Sequence, residues 1–354
     1  SEINMGVDAF RDSLYAMLKR NTFLNIKFEN MLDTLGEMSR TDLYSYLKEW
    51  EQLTPLPFYS IGEPELTKVV NKGGEEFFVL KVLVSNNSDY DGIIQMNVLQ
   101  NGWWYQPMED PRARKKVEIA AHTSKEFVSV WEEQIRDVEI NTMVSGNLPY
   151  MIRQSIGNVK QERNKIVKDT IYTLPESSLE MPGEVIVDNE DSTLFVLSTP
   201  AVVGLLPKWL DKVEDTSFKY SGISWWRAPL QWTATTNAKY YGKYIRSAYV
   251  IKSGDGSQTA TWKIPVPEAG QYELYYHVFK DDELRWNDRL QGEYHFRVAY
   301  DSEMEDAYIN LRKANEGWEQ LGTYYFSADT VRVVLTDECK LRSVTADAVK
   351  IVKR

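Results

Sequence analysis

The chain has 354 residues, 43% hydrophobic and 12% aromatic, with 11 Trp and 21 Tyr, a composition that builds cores and excludes a disordered chain. Its 52 acidic and 41 basic residues give a formal net charge of -11, and no long Lys/Arg block occurs, which argues against nucleic acid and anionic membrane surfaces as partners. The single cysteine, Cys339, excludes an intrachain disulfide, and no stretch approaches the roughly 18 apolar residues of a membrane span.

At about 150 residues per domain the length calls for two or three units. Residues 1–10 lack the basic start and apolar middle of a signal peptide, and the abrupt helical beginning suggests a piece of a longer chain. Apolar residues then recur at three and four: Val7, Phe10, Leu14, Met17 and Leu18, then Ile26, Met31, Leu32 and Leu35, then Leu43, Tyr46, Leu47 and Trp50. This predicts three short amphipathic helices, with Asn25 and Thr41 at N-cap positions and Pro55 and Pro57 ending the helical segment, 1–56. Three such helices bury too little to fold alone and need a packing partner.

After Pro57 the period changes to two. Strands are predicted over 66–70, 76–84, 92–99, 115–120, 126–131 and 138–143, with turns at Asn71-Lys72-Gly73-Gly74 and Asn86-Asn87-Ser88-Asp89. Residues 57–149 thus read as a small β-sandwich. The polar stretch 150–180 has no strong period and reads as a linker. From 181 to 354 about nine short strands return, separated by Gly, Asp and Ser turns, as in an antiparallel, jelly-roll-like β-sandwich. The fold class expected is therefore mainly β, with a short N-terminal helical segment and two sandwiches.

Catalytic signatures are missing. His122, His277 and His295 belong to no HExxH or other ligand-spaced pair, and no GxSxG, P-loop, GxGxxG or reactive-Cys context occurs. His277 and His295 sit inside strand patterns, where a satisfied structural role is expected. The run Asp188-Asn189-Glu190-Asp191 offers hard oxygen ligands but lacks the spacing of an EF-hand, so an acidic turn is the plainer reading than calcium. No cofactor and no metal are expected.

The aromatic clusters carry more. Trp225-Trp226, Trp232, Tyr240-Tyr241 and Tyr244 lie in a stretch with little strand character, and flat rings on loops stack on the apolar faces of sugars. Closing the open end of a sandwich is an equally weighted role for them. Adjacent tryptophans in a strand face opposite ways, so one of Trp225 and Trp226 is expected outside the core; Trp103-Trp104 pose the same question, and Trp286, among Asp281, Asp282 and Asp288, is another loop aromatic.

Several elements in order resemble the golvesin C-terminal domain, a family also similar to the carbohydrate-binding domain of xanthan lyase. They are Glu184-Val185-Ile186-Val187-Asp188-Asn189, Trp232 with Tyr240-Tyr241-Gly242, Ala260-Thr261-Trp262, Gly270-Gln271-Tyr272, Gly317-Trp318 with Leu321-Gly322-Thr323, and Ala346-Asp347-Ala348. The family tryptophans Trp232, Trp262 and Trp318 then read as core or turn packing, with Tyr272 and Phe326 as strand positions. Trp225, Trp226 and Trp286 fall outside the pattern and become the candidate ligand-binding residues.

Residues 7–150 in turn resemble the non-catalytic tail of zinc metallopeptidases of the membrane alanyl aminopeptidase type, through Asp42-Leu43, Trp50, Leu56-Pro57-Phe58-Tyr59, Asn86-Asn87, Asn141-Thr142 and Ser145-Gly146-Asn147-Leu148-Pro149. That family's HExxH is nowhere in the chain. The two resemblances imply a non-catalytic accessory region of a bacterial periplasmic or cell-surface protein, its C-terminal sandwich binding a polysaccharide or cell-surface polymer and its N-terminal part adjoining a peptidase-like domain. A purely architectural spacer or docking arm is the alternative.

Overall fold

The computed structural model describes residues 7–20, 27–39, 42, 55–99, 110–157, 159–163, 167–176, 183–198, 219–223, 227–280, 292–327 and 329–354. Among the described residues the chain is mostly β, with two N-terminal helices and several sheets, as its periodicity predicts. The helices are α1 (Val7–Arg20) and α2 (Phe28–Ser39), which pack on each other and bury Met17, Leu32 and Leu35. The third predicted helix lies outside the described residues, Asp42 apart.

The next strands are β1 (Tyr59–Ile61), β2 (Glu65–Val70), β3 (Glu76–Asn86), β4 (Gly92–Leu99), β5 (Arg114–Ile119), β6 (Thr123–Trp131), β7 (Asp137–Asn141), β8 (Met151–Ser155), β9 (Val159–Arg163) and β10 (Thr170–Pro175). One sheet runs β10-β6-β3-β2-β9, with β1 also on β3; the other runs β5-β4-β7-β8. All pairs are antiparallel except β2 with β9, which is parallel, Leu66 opposite Val159. Alternate residues of the two sheets, among them Leu66, Leu80, Val82, Phe127, Ile94, Met96, Val138 and Ile140, share one core.

The stretch 150–180, read as a linker, instead supplies β8, β9 and β10 to these two sheets. Its polar character has a simple cause. All three strands are terminal in their sheets' order, and most of their residues are exposed or half-buried, so they need little apolar surface to pair.

The remaining strands are β11 (Glu184–Val187), β12 (Phe195–Leu197), β13 (Thr233–Thr236), β14 (Ser247–Lys252), β15 (Thr259–Pro265), β16 (Gly270–Val278), β17 (Glu293–Tyr300), β18 (Glu303–Asn310), β19 (Gly317–Phe326), β20 (Thr330–Thr336), β21 (Ser343–Ala346) and β22 (Val349–Lys353). They form three antiparallel sheets, β11-β22-β16-β19, β12-β15-β20-β17-β18 and β13-β14-β21. Strict alternation in β15 and β16 sends Ala260, Trp262 and Ile264, and Tyr272, Leu274, Tyr276 and Val278, inward to one core shared by these sheets. Trp262 is fully buried against Phe195 and Tyr276, with ring centroids 5.4 and 6.1 Å away.

The two halves meet at Leu148. Its N–H donates to Tyr244 O (3.0 Å), its carbonyl accepts from Arg246 N (2.6 Å), and the Phe58 and Tyr244 rings lie 5.3 Å apart beside it.

Candidate functional site

The loop that meets Leu148 is fixed from within by Asp347, which follows β21. Asp347 is fully buried; its carboxylate accepts from Tyr241 N (3.2 Å to each oxygen) and pairs with His277 Nδ1 (2.8 Å). Its backbone carbonyl accepts from Trp262 Nε1 (3.2 Å). Desolvation pushes the Asp347 carboxyl above the ordinary carboxylate range, and the His277 and Arg246 charges hold that rise in check. The Arg246 guanidinium is pulled down to about 10 by the same desolvation, although it donates to Ala238 O (2.9 Å).

Gly242 makes the tight path between Tyr241 and Arg246 available. Its φ is +150°, and a Cβ there would lie 1.9 Å from Ile245 O, so no other residue fits without moving the loop.

The acidic run folds as a turn. Asp191 Oδ2 accepts from Asp188 N (2.8 Å), Asp191 N donates to Asp188 O (3.1 Å), and Glu190 takes Lys219, Tyr220 and Ser247 as partners. Its oxygens are thus largely committed to the protein. The Asp188 carboxyl is pushed well up by desolvation, with the nearby charge of Asp347 adding to it.

On the outward face of the sheet β11-β22-β16-β19, residues Tyr275, His277, Lys350 and Trp318 form a half-buried cluster. The Trp318 ring stands 5.0 Å from Tyr241 and 5.1 Å from His277, and Lys350 Nζ lies 4.9 Å from the Trp318 centroid while pairing with Glu184 (2.8 Å). Trp318 is therefore an outward packing residue, unlike the buried Trp262. Trp232 packs partly buried against the same core, its indole N–H without a partner among the described residues.

At one end of the sheet β13-β14-β21 lies an open cleft of about 280 Å³, lined by Arg227, Ala228, Leu230, Lys252 and Arg342. Lys252 N donates to Pro229 O (2.7 Å), tying the segment before β13 to the end of β14. Ser253 N donates to Arg342 O (3.1 Å), tying that end to the start of β21.

Trp225, Trp226 and Trp286, the candidate ligand-binding residues of the sequence, lie outside the described residues, as do Trp103 and Trp104. The cleft residues carry no sequence motif; Asp347 and Tyr241 lie in two of the elements that carry the family resemblance, Ala346-Asp347-Ala348 and Tyr240-Tyr241-Gly242, but nothing local in the sequence joins them. His295, at a strand position, pairs with Asp306 (2.7 Å) and Glu338 (3.2 Å) and stacks on Tyr308. His122 bridges Asp89 and Glu176, both at 2.8 Å.

The fold thus defines a β-sandwich protein whose second half carries the open cleft. Residues 225–353 of that half match the family model described as the golvesin C-terminal domain. Comparison with curated protein sequences gives no match, and the resemblance of residues 7–150 to aminopeptidase tails finds no support in any comparison. Among solved structures, a Podospora anserina GH26-CBM35 β-(1,4)-mannanase aligns at 11% identity and a TM-score of 0.25, over 49% of this chain and 28% of that one. A calcium-binding mutant of Bacteroides uniformis β-glucuronidase 2 aligns at 9% and 0.22, over 84% and 30%. The Sulfolobus turreted icosahedral virus structure aligns at 10% and 0.17, over 84% and 93%. The chain spans less than a third of the first two, and TM-scores this low support no further inference. Among the described residues no helix is long and apolar enough to cross a membrane.

Proposed function

We propose that this chain is a non-catalytic, extracytoplasmic binding region whose C-terminal sandwich holds a glycan or cell-surface polymer. The observation that carries the reading is the open cleft at Arg227, Ala228, Leu230, Lys252 and Arg342, within the part that matches the golvesin C-terminal domain. Trp225 and Trp226 immediately precede Arg227 in the chain and, with Trp286, are the proposed stacking contacts. A non-catalytic role is supported by what the reactive side chains do. His122 and His295 use both ring nitrogens on carboxylates, and burial pushes the Cys339 thiol up, away from the thiolate a nucleophile needs.

The test is affinity electrophoresis of the full chain in gels containing neutral and acidic polysaccharides, beside a folded Trp225→Ala/Trp226→Ala variant. Retardation that the variant loses supports the reading. Absence of retardation by every polymer, with tryptophan fluorescence poorly quenched by acrylamide, overturns it. A second reading, an architectural docking arm, is favoured by one observation: the main-chain pairing of Leu148 with Tyr244 and Arg246 joins the two halves directly.

A further inference from the structure

Three of the five residues lining the cleft are cations, and none is a carboxylate. In a chain of net charge -11 a lining with cations and no carboxylate stands out. Carboxylates that lie close in sequence to Lys252 or Arg342 have partners of their own. Asp337 Oδ1 accepts from Gly256 N (2.8 Å) and Gln258 N (3.2 Å), Asp255 accepts from Ser257 N (3.1 Å), and Glu338 faces His295. The side chains of Arg227 and Lys252 make no ion pair among the described residues. Three chain segments bring the cations together: the approach to β13, the end of β14 and the start of β21.

We infer that this cleft is a subsite for an anionic sugar, one that bears a carboxylate or a sulfate; the inference rests on the glycan-binding reading above. Concave walls focus the field of Arg227, Lys252 and Arg342, and a guanidinium presents the forked donors that fit a carboxylate or sulfate edge. Leu230, 72% exposed, and Ala228 add an apolar wall against which the C–H face of a ring rests. At about 280 Å³ the cleft has room for a sugar ring, and its open side leaves a path for the rest of a polymer.

The experiment uses the full chain in gels of polygalacturonate, dextran sulfate, neutral dextran and poly-glutamate, with Arg227→Ala/Lys252→Ala and the charge-keeping Arg227→Lys alongside, each checked for native circular dichroism. The expected result is retardation by polygalacturonate, dextran sulfate or both, weakened about tenfold or more in the double variant. Arg227→Lys should retain part of it, and raising the salt to about 0.5 M should weaken the parent more than the double variant. The carboxylate and sulfate arms tell the two anion sources apart. Equal retardation of parent and double variant overturns the subsite, as does retardation by poly-glutamate as strong as by polygalacturonate. Binding to neutral polymers alone overturns the subsite while leaving the glycan reading intact, and binding to none overturns both.

Discussion

Removing the Asp347 carboxylate tests whether this buried acid holds the loop from Tyr241 to Arg246. In Asp347→Ala the Tyr241 N–H and His277 Nδ1 lose the partner that the fully buried carboxylate provides. Loss of a buried hydrogen-bond acceptor costs about 1–3 kcal/mol for each donor it served. Part of this is offset, because desolvation already strains the carboxylate, as its raised pKa shows. The net expectation is a loss of about 3 kcal/mol for Ala and about 1–2 kcal/mol for Asn, which keeps one acceptor oxygen. Urea unfolding at neutral pH, followed by tryptophan fluorescence, reads this, with Trp262 and Trp318 as local reporters. The pH dependence carries a sign. With its folded pKa above the ordinary 3.8, Asp347 contributes stability that is fully present below 3.8 and is lost as pH rises through the folded value. Asp347→Asn should remove that part of the slope, leaving the part due to Asp188, which shifts the same way. An alanine variant within about 0.5 kcal/mol of the parent, with an unchanged pH slope, would refute the reasoning.

Trp262→Ala should cost about 3–5 kcal/mol for the lost ring and lower the melting temperature of the second half by roughly 10 °C, measured by scanning calorimetry; a shift of a degree or two would show that the site collapses around the smaller side chain. A double-mutant cycle on Phe58→Ala and Tyr244→Ala should give a coupling of about 0.5–1.5 kcal/mol in unfolding, whereas zero coupling would mean that the halves do not touch there in solution. The His122 ring, raised by its hydrogen bonds to Asp89 and Glu176, should titrate above the ordinary 6.5 by NMR and move down in Asp89→Ala/Glu176→Ala. Its stabilising contribution is present below the unfolded pKa and lost above the folded one; an unmoved titration in the variant would contradict the bridge.

The sequence revealed the strands that need a buried face. In β15 and β16 every second residue is apolar and inward, so the period of two is plain in Ala260, Trp262 and Ile264. It concealed strands that bury little: Val159–Arg163 is mostly polar, and Thr170–Pro175 leaves Ile171, Tyr172 and Leu174 exposed, so both pair at sheet edges through their backbones without a clear inward face. The site was less legible still. Arg227, Lys252 and Arg342 sit in unrelated local contexts, and only strand order places them around one cleft. Asp347 gave one local hint, an acid between two alanines at a strand end, but its partners Tyr241 and His277 lie on distant segments. The family resemblance found the sandwich from its turn and strand residues, and none of those residues lines the cleft.

The join at Leu148 has a consequence for how the two halves can change over time. Its hydrogen bonds run between main-chain atoms, N–H of Leu148 to the Tyr244 carbonyl and N–H of Arg246 back to the Leu148 carbonyl. Main-chain groups are common to nearly every residue type, so this fastening can outlast the replacement of most side chains around it. What it cannot outlast is a change in backbone path, such as an insertion in either loop or a side chain at Gly242. Homologues that keep the two halves fastened together should therefore be recognised by conserved loop lengths here sooner than by conserved letters.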